Sequence, residues 1–233
     1  MNNRITSKGG VLIIGSLLWD SSDIRKNWRE NDLILSEKIQ IGLPIRYGRV
    51  SQSRSCTHSM VYSSACKLEN KLGLGYLVPF KNISITVEEI LRLSKRIIDA
   101  EHNKIKNLNR FNWGWGCLGI AFNPALDEDE KIMILDRWKS KYGNGFNPKE
   151  YRVGNETPII TKTGKLLIDW MSQLDNYDFV IGTATKPQLK EYPSPNKIAE
   201  RMIVNEYDEY FRKNRQNLIT TFQDDEIENK LNQ

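Results

Sequence analysis

Two histidines and three cysteines are too few to build several familiar kinds of site. His58 and His102 cannot form a multi-histidine metal centre, and no metal is expected. Cys56, Cys66 and Cys117 are an odd set without C-x-x-C spacing. That argues against a disulfide framework and predicts reduced, mostly buried thiols in a cytoplasmic protein. No apolar run approaches the roughly 18 residues that a membrane span requires. The polar start, MNNRITSKGG, lacks the pattern of a signal peptide. Neither the Walker pattern nor G-x-G-x-x-G occurs, so phosphate binding lacks its usual glycine spacing. Basic residues form no block and no aromatic-basic repeat. The net charge of +5 is therefore read as a solvated surface rather than a nucleic-acid stripe. Repeats and low-complexity tracts are also missing.

What is present is one domain's worth of mixed elements over residues 1–233. Val11–Ile14 is a short apolar run closed by Gly15, the mark of a buried strand. Asp20 to Asp23 supply N-caps for a short helix through Trp28. Between Leu33 and Phe80 the segments LPIRYGRVS, HSMVYSSA and LGLGYLVPF read as strands. Thr86 with Glu89 forms a capping box for a helix that follows. Strand character returns in WGCLGIAFNP and YDFVIGTAT, and DEDEKIMILDRWKSKYG is an amphipathic helix with acids in its first turn. Residues 123–177 read as a helical insertion, with a second helix around Gly164–Leu174. The segment NKIAERMIVNEYDEYFRKN reads as one closing helix, and the tail after Asp224 is expected to fray. The order is α+β, without the regular alternation of a doubly wound sheet.

Two features carry chemistry. In the helix after Thr86, Val87, Ile90, Leu91, Ile97 and Ile98 share a face with Ser94, and the same spacing continues to Glu101. A carboxylate on that face points to the core or into a cavity, where desolvation raises its pKa toward the range of a general acid/base. The alternative is a residue of the last turn paired with a nearby lysine or arginine. The second feature is the Gly15-Ser16 pair at the end of the first strand. Glycine permits close approach, so several N–H groups can converge there on a carboxylate or an oxyanion. An ordinary turn is the competing reading. Ser16 lacks the G-x-S-x-G elbow of a serine hydrolase.

Taken in order, these pieces resemble the γ-glutamyl cyclotransferase-like superfamily, in particular its ChaC-type or AIG2-like branch. There a strand ending in Tyr-Gly-Ser-Leu cradles a γ-glutamyl group, and a catalytic glutamate follows a helix. IGSLLWD (Ile14–Asp20) matches the loop, and DAE (Asp99–Glu101) matches the approach to the glutamate. RYGRVSQSRS (Arg46–Ser55) is similar to the basic strand pair between them, and FVIGTATKPQLKEYPSPNKIAERMI to the closing segment. The likeness spans residues 10–122 and 178–212. Ile14 departs from it, since the family places a tyrosine there, and so does the 123–177 insertion.

The resemblance implies a small mixed β-barrel with flanking helices. It also implies a cofactor-free acyl transfer that cleaves an amide, in which the α-amine of a γ-glutamyl compound attacks its own γ-carbonyl to give 5-oxoproline. Glu101 would be the general acid/base. Ile14, Gly15, Ser16 and Leu17 would hold the substrate, with Arg49 or Arg54 beside its carboxylate. Tyr76, Tyr192 and the Trp113–Trp115 pair are candidate walls, and His58 reads as structural or surface. The partner expected is a small γ-glutamyl molecule, with neither nucleic acid nor membrane. Two other classes compete. One is a binding or regulatory domain that keeps the cradle but not the reaction. The other is an interaction module docking through residues 123–177, which predicts an exposed apolar face there and no pocket at the strand end.

Overall fold

The computed structural model describes residues 7–82, 85–102 and 110–233. In chain order the strands are β1 (Gly9–Ile13), β2 (Ile39–Leu43), β3 (Ile45–Ser51), β4 (Thr57–Tyr62), β5 (Gly73–Pro79), β6 (Gly116–Phe122) and β7 (Phe179–Thr185). The helices are α1 (Asp23–Asp32), α2 (Ser64–Leu68), α3 (Val87–Glu101), α4 (Glu128–Lys139), α5 (Pro195–Val204), α6 (Glu209–Gln216) and α7 (Asp224–Leu231). The fold is α+β. A five-stranded sheet has the order β2-β5-β1-β7-β6, and β3 and β4 form a separate hairpin. The hydrogen-bond ladder does not return from β6 to β2, so no closed barrel is found among the described residues.

β1 is the central strand because every residue of it is buried. It pairs antiparallel with β5 and parallel with β7, and its side chains are covered on both faces. Each such aliphatic side chain contributes about 1.5–3 kcal/mol by leaving water. α3 begins with the expected capping box, Thr86 receiving the Glu89 N–H and Glu89 receiving the Thr86 N–H. Its buried stripe, Ile90, Leu93, Ile97 and Ile98, joins the same hydrophobic core as β1. The stripe runs the full length of the helix and brings the last residue, Glu101, to the end of β1.

Three expectations change here. Of the anticipated helix pair in residues 123–177, only α4 forms; the stretch around Gly164–Leu174 is extended, with a single 3-10 turn at Ser172–Leu174. The reason is the edge of the sheet. The Leu166 N–H donates to the Ile120 carbonyl at 2.7 Å and the Ile120 N–H to the Gly164 carbonyl at 3.0 Å, so the segment covers β6. Gly164 has φ +80°, and a Cβ there would collide with the Tyr142 ring. Trp138, Tyr142, Tyr151 and Leu166 are buried in the same core as β1, so this region is part of the domain's interior rather than a docking platform.

The single closing helix is instead broken at Asn205. The Glu206 N–H bonds the Ile203 carbonyl and the Tyr207 N–H the Met202 carbonyl, a Schellman arrangement with Glu206 at φ +50°. The turn redirects α6 toward the end of β1. Beyond it, the tail after Asp224 does not fray but forms α7. Buried Ile227 anchors it, α7 packs on α5, and the Thr221 N–H and hydroxyl both donate to the Asp224 carboxylate.

Candidate functional site

A cavity of about 570 Å³ opens where β1 ends. Ile14, Gly15, Ser16, Leu17, Arg49, Arg54 and Glu101, the residues singled out from the sequence, all line it. Sequence positions nearly ninety apart meet there because α3 and the β3–β4 hairpin both pack over the C-terminal end of β1.

The strand breaks at Gly15 because the chain must turn sharply past α6: a Cβ on Gly15 would stand 2.6 Å from the Tyr210 hydroxyl. Within the turn the Leu18 N–H bonds the Gly15 carbonyl at 3.0 Å and the Asp20 N–H the Ser16 carbonyl at 2.9 Å. The N–H groups of Ser16 and Leu17 find no acceptor among the described residues. Arg29 locks the turn from behind, donating to the carbonyls of Leu17 at 2.8 Å and Asp20 at 2.7 Å. In front, Arg25 and Arg54 both donate to the Ser16 hydroxyl, at 3.1 and 3.0 Å. Neither histidine lines the cavity, so Ser16 has no imidazole base beside it.

Glu101 faces this turn with its side chain 11% exposed. Burial pushes its carboxyl above the usual carboxylate range, an effect offset in part by the Arg25 guanidinium and then by Thr183 and Arg54. The nearest Arg25 nitrogen is 3.8 Å away, too far for a close hydrogen bond. The Thr183 hydroxyl, on β7, makes no well-formed hydrogen bond to a described residue. Arg25 instead spends its donors on Asp20 at 2.9 Å, on the Ala100 carbonyl at 3.0 Å and on Ser16. It therefore ties α1, the turn and the end of α3 together while leaving the Glu101 carboxylate free to exchange a proton.

Arg49 donates to the Lys186 carbonyl at 3.2 Å and to Gln188 at 2.5 Å, at the cavity's outer end. Trp115 forms a wall beside it, whereas Trp113 lies in the core behind. His102 packs against both, ring centroids 5.1 Å from Trp113 and 5.2 Å from Trp115, and burial lowers its pKa. Tyr76 and Tyr192 do not line the cavity; Tyr192 donates to Glu156 instead. His58 is buried, and Cys56 is exposed, unlike Cys66 and Cys117. Sequence reasoning missed Arg25, Thr183 and Tyr210. Arg25 lies in a helix so rich in charge that no pattern sets one cation apart, and the other two arrive from distant elements.

Comparisons with protein-family models, with curated proteins and with solved structures find no match for this chain. The site therefore has to be read from its own chemistry. Three arginines face one lining carboxylate, so the cavity suits an anionic ligand. Among the described residues no three His, Cys, Asp or Glu side chains cluster as a metal site. No helix among them is long and apolar enough to cross a membrane.

Proposed function

We propose that this protein is a γ-glutamyl cyclotransferase-like enzyme of the cytoplasm, converting a γ-glutamyl amine or peptide to 5-oxoproline. The observation that carries the reading is the meeting, in one cavity, of a desolvated Glu101 carboxyl and a Gly15-Ser16 turn with free N–H groups. In this reading the open sheet, with the β3–β4 hairpin laid beside it, is a variant of the family's small barrel. The three free cysteines suit a reducing compartment.

The reaction asks little of the protein beyond positioning and proton transfer. Glu101 takes a proton from the substrate's α-ammonium, and the freed amine attacks the γ-carbonyl carbon. The new C–N bond closes a five-membered ring, a geometry that supplies proximity without a cofactor. Negative charge gathers on the carbonyl oxygen, where a cation such as Arg25, which lines the cavity beside Glu101, is stabilising. Glu101 then delivers its proton to the leaving nitrogen as the carbonyl re-forms and the original amide C–N bond breaks. The ring nitrogen's surplus proton passes to the departing amine, which leaves as an ammonium. A carboxyl whose pKa burial raises above its ordinary value is better matched to both steps than a free one.

The test is incubation with a panel of γ-glutamyl amines, amino acids and peptides, following 5-oxoproline. Product that disappears in Glu101→Gln, with the fold intact, is the expected result. A broad panel without product would move the protein to the second reading, a non-catalytic binding or regulatory domain. Ile14 favours that alternative, because an aliphatic side chain stands in the cavity where the family has a tyrosine hydroxyl.

A further inference from the structure

Tyr210 is among the polar groups of the cavity that the reaction above leaves unused. Tyr210, near the start of α6, is only 3% exposed, yet it lines the cavity. Its hydroxyl has no hydrogen-bond partner among the described residues, although it stands over Gly15 closely enough to forbid a side chain there. A tyrosine hydroxyl that opens on a cavity without bonding its own chain is available to a ligand. The ring is held firmly. The Arg54 guanidinium lies 3.8 Å from its centroid, and Trp19 packs against it with centroids 6.1 Å apart. Trp19 is itself fixed by a 2.7 Å hydrogen bond from its indole N–H to Asn214.

The geometry points to Tyr210 as a ligand-binding residue whose hydroxyl, with the Ser16 and Leu17 N–H groups and Arg54, forms a subsite for the carboxylate of an amino-acid-type ligand. Every group that converges there can donate. A carboxylate is the complementary ligand, since it only accepts and offers about four lone-pair sites. The ligand's ammonium then lies toward Glu101, the lining carboxylate of the cavity. The inference rests on the γ-glutamyl reading for its substrate, but it concerns binding, and binding is measured apart from turnover.

The experiment compares L-glutamine, the simplest γ-glutamyl amide, with γ-aminobutyramide, which lacks only the α-carboxylate. Calorimetry on the full chain is expected to show the wild type preferring glutamine. Tyr210→Phe keeps the ring under Arg54 and removes the O–H. It is expected to weaken glutamine binding about tenfold, the value of one charge-assisted hydrogen bond, and to leave γ-aminobutyramide unchanged. Gly15→Ala crowds the hydroxyl and is expected to weaken glutamine binding more in the wild-type background than in Tyr210→Phe. Equal loss for both ligands in Tyr210→Phe, unchanged glutamine binding, or no glutamine binding by the wild type each overturns the inference. Selective binding without 5-oxoproline formation from any γ-glutamyl compound would sink the enzyme reading alone.

Discussion

Glu101 and Glu156 are both mostly withdrawn from solvent, but they are treated in opposite ways. Glu156 is saturated. One oxygen accepts from the hydroxyls of Ser63 and Ser64 and from the Ala65 N–H, at 2.8, 3.4 and 3.0 Å. The other accepts from the Val153 N–H at 2.8 Å and from the Tyr192 hydroxyl. These bonds clasp the loop after α4 to the start of α2. Glu101 has only a distant guanidinium and a threonine hydroxyl, and it faces a cavity. A carboxylate whose lone pairs are all filled by its own chain is structural. One left with unspent capacity is available to a ligand and to a proton.

The comparison can be broken most sharply by the conservative amide at each position. Glu101→Gln is expected to lower 5-oxoproline formation by about 10²–10⁴-fold, the range of general acid/base catalysis, with the circular dichroism spectrum unchanged. Glu156→Gln is expected to leave turnover near wild type at low temperature but to cost about 3 kcal/mol of stability, because an amide cannot accept at both ends. Thermal unfolding should register this as a drop on the order of 6–12 °C. If Glu156→Gln abolished turnover in a folded protein, the division between the two carboxylates would be wrong.

A smaller effect is expected at the group that bridges turn and glutamate. Arg25→Gln removes the cation that holds the Glu101 carboxyl down. The acid limb of kcat/KM should then move to higher pH, with a loss of activity of about tenfold at neutrality as the turn loosens. Arg25→Lys should restore the position of the limb better than the rate, since an ammonium cannot bridge Ser16, Asp20 and Ala100 together. A limb that stays in place would remove Arg25 from the site's electrostatics.

The smallest effect concerns stability against pH. Burial raises the Glu101 pKa in the folded state, so the native protein holds the proton more tightly than the unfolded chain. Its contribution to stability is greatest below the unfolded value and is lost as pH rises through the folded one. Glu101→Gln should therefore melt above the wild type at alkaline pH, with the difference closing toward acid. A gain that grew on acidification would contradict the assigned direction.

Parts of this site were legible in residue order. The period of α3 carried Glu101 to the apolar face, and the capping box at Thr86 set the register from which that period runs. The glycine after Ile14 marked the end of β1. Other parts were not legible because their causes are long-range. The stretch around Gly164–Leu174 has helix-forming residues, but an uncovered β6 edge offers its backbone better partners. The chain beyond Asp224 is polar enough to read as a loose end. Packing against α5, with Ile227 buried, makes it a helix.

The sequence by itself determined the local elements: a buried strand stopped by glycine, a capped amphipathic helix, and a carboxylate at the end of its apolar stripe. Tertiary structure decided what that carboxylate meets. The Schellman turn at Glu206 swings Tyr210 over Gly15, and α1 packing on α3 brings Arg25 between Ser16 and Glu101. The physical reason is range. Periodicity and capping act within a few residues, whereas desolvation and convergent hydrogen bonds depend on groups that only packing can bring together.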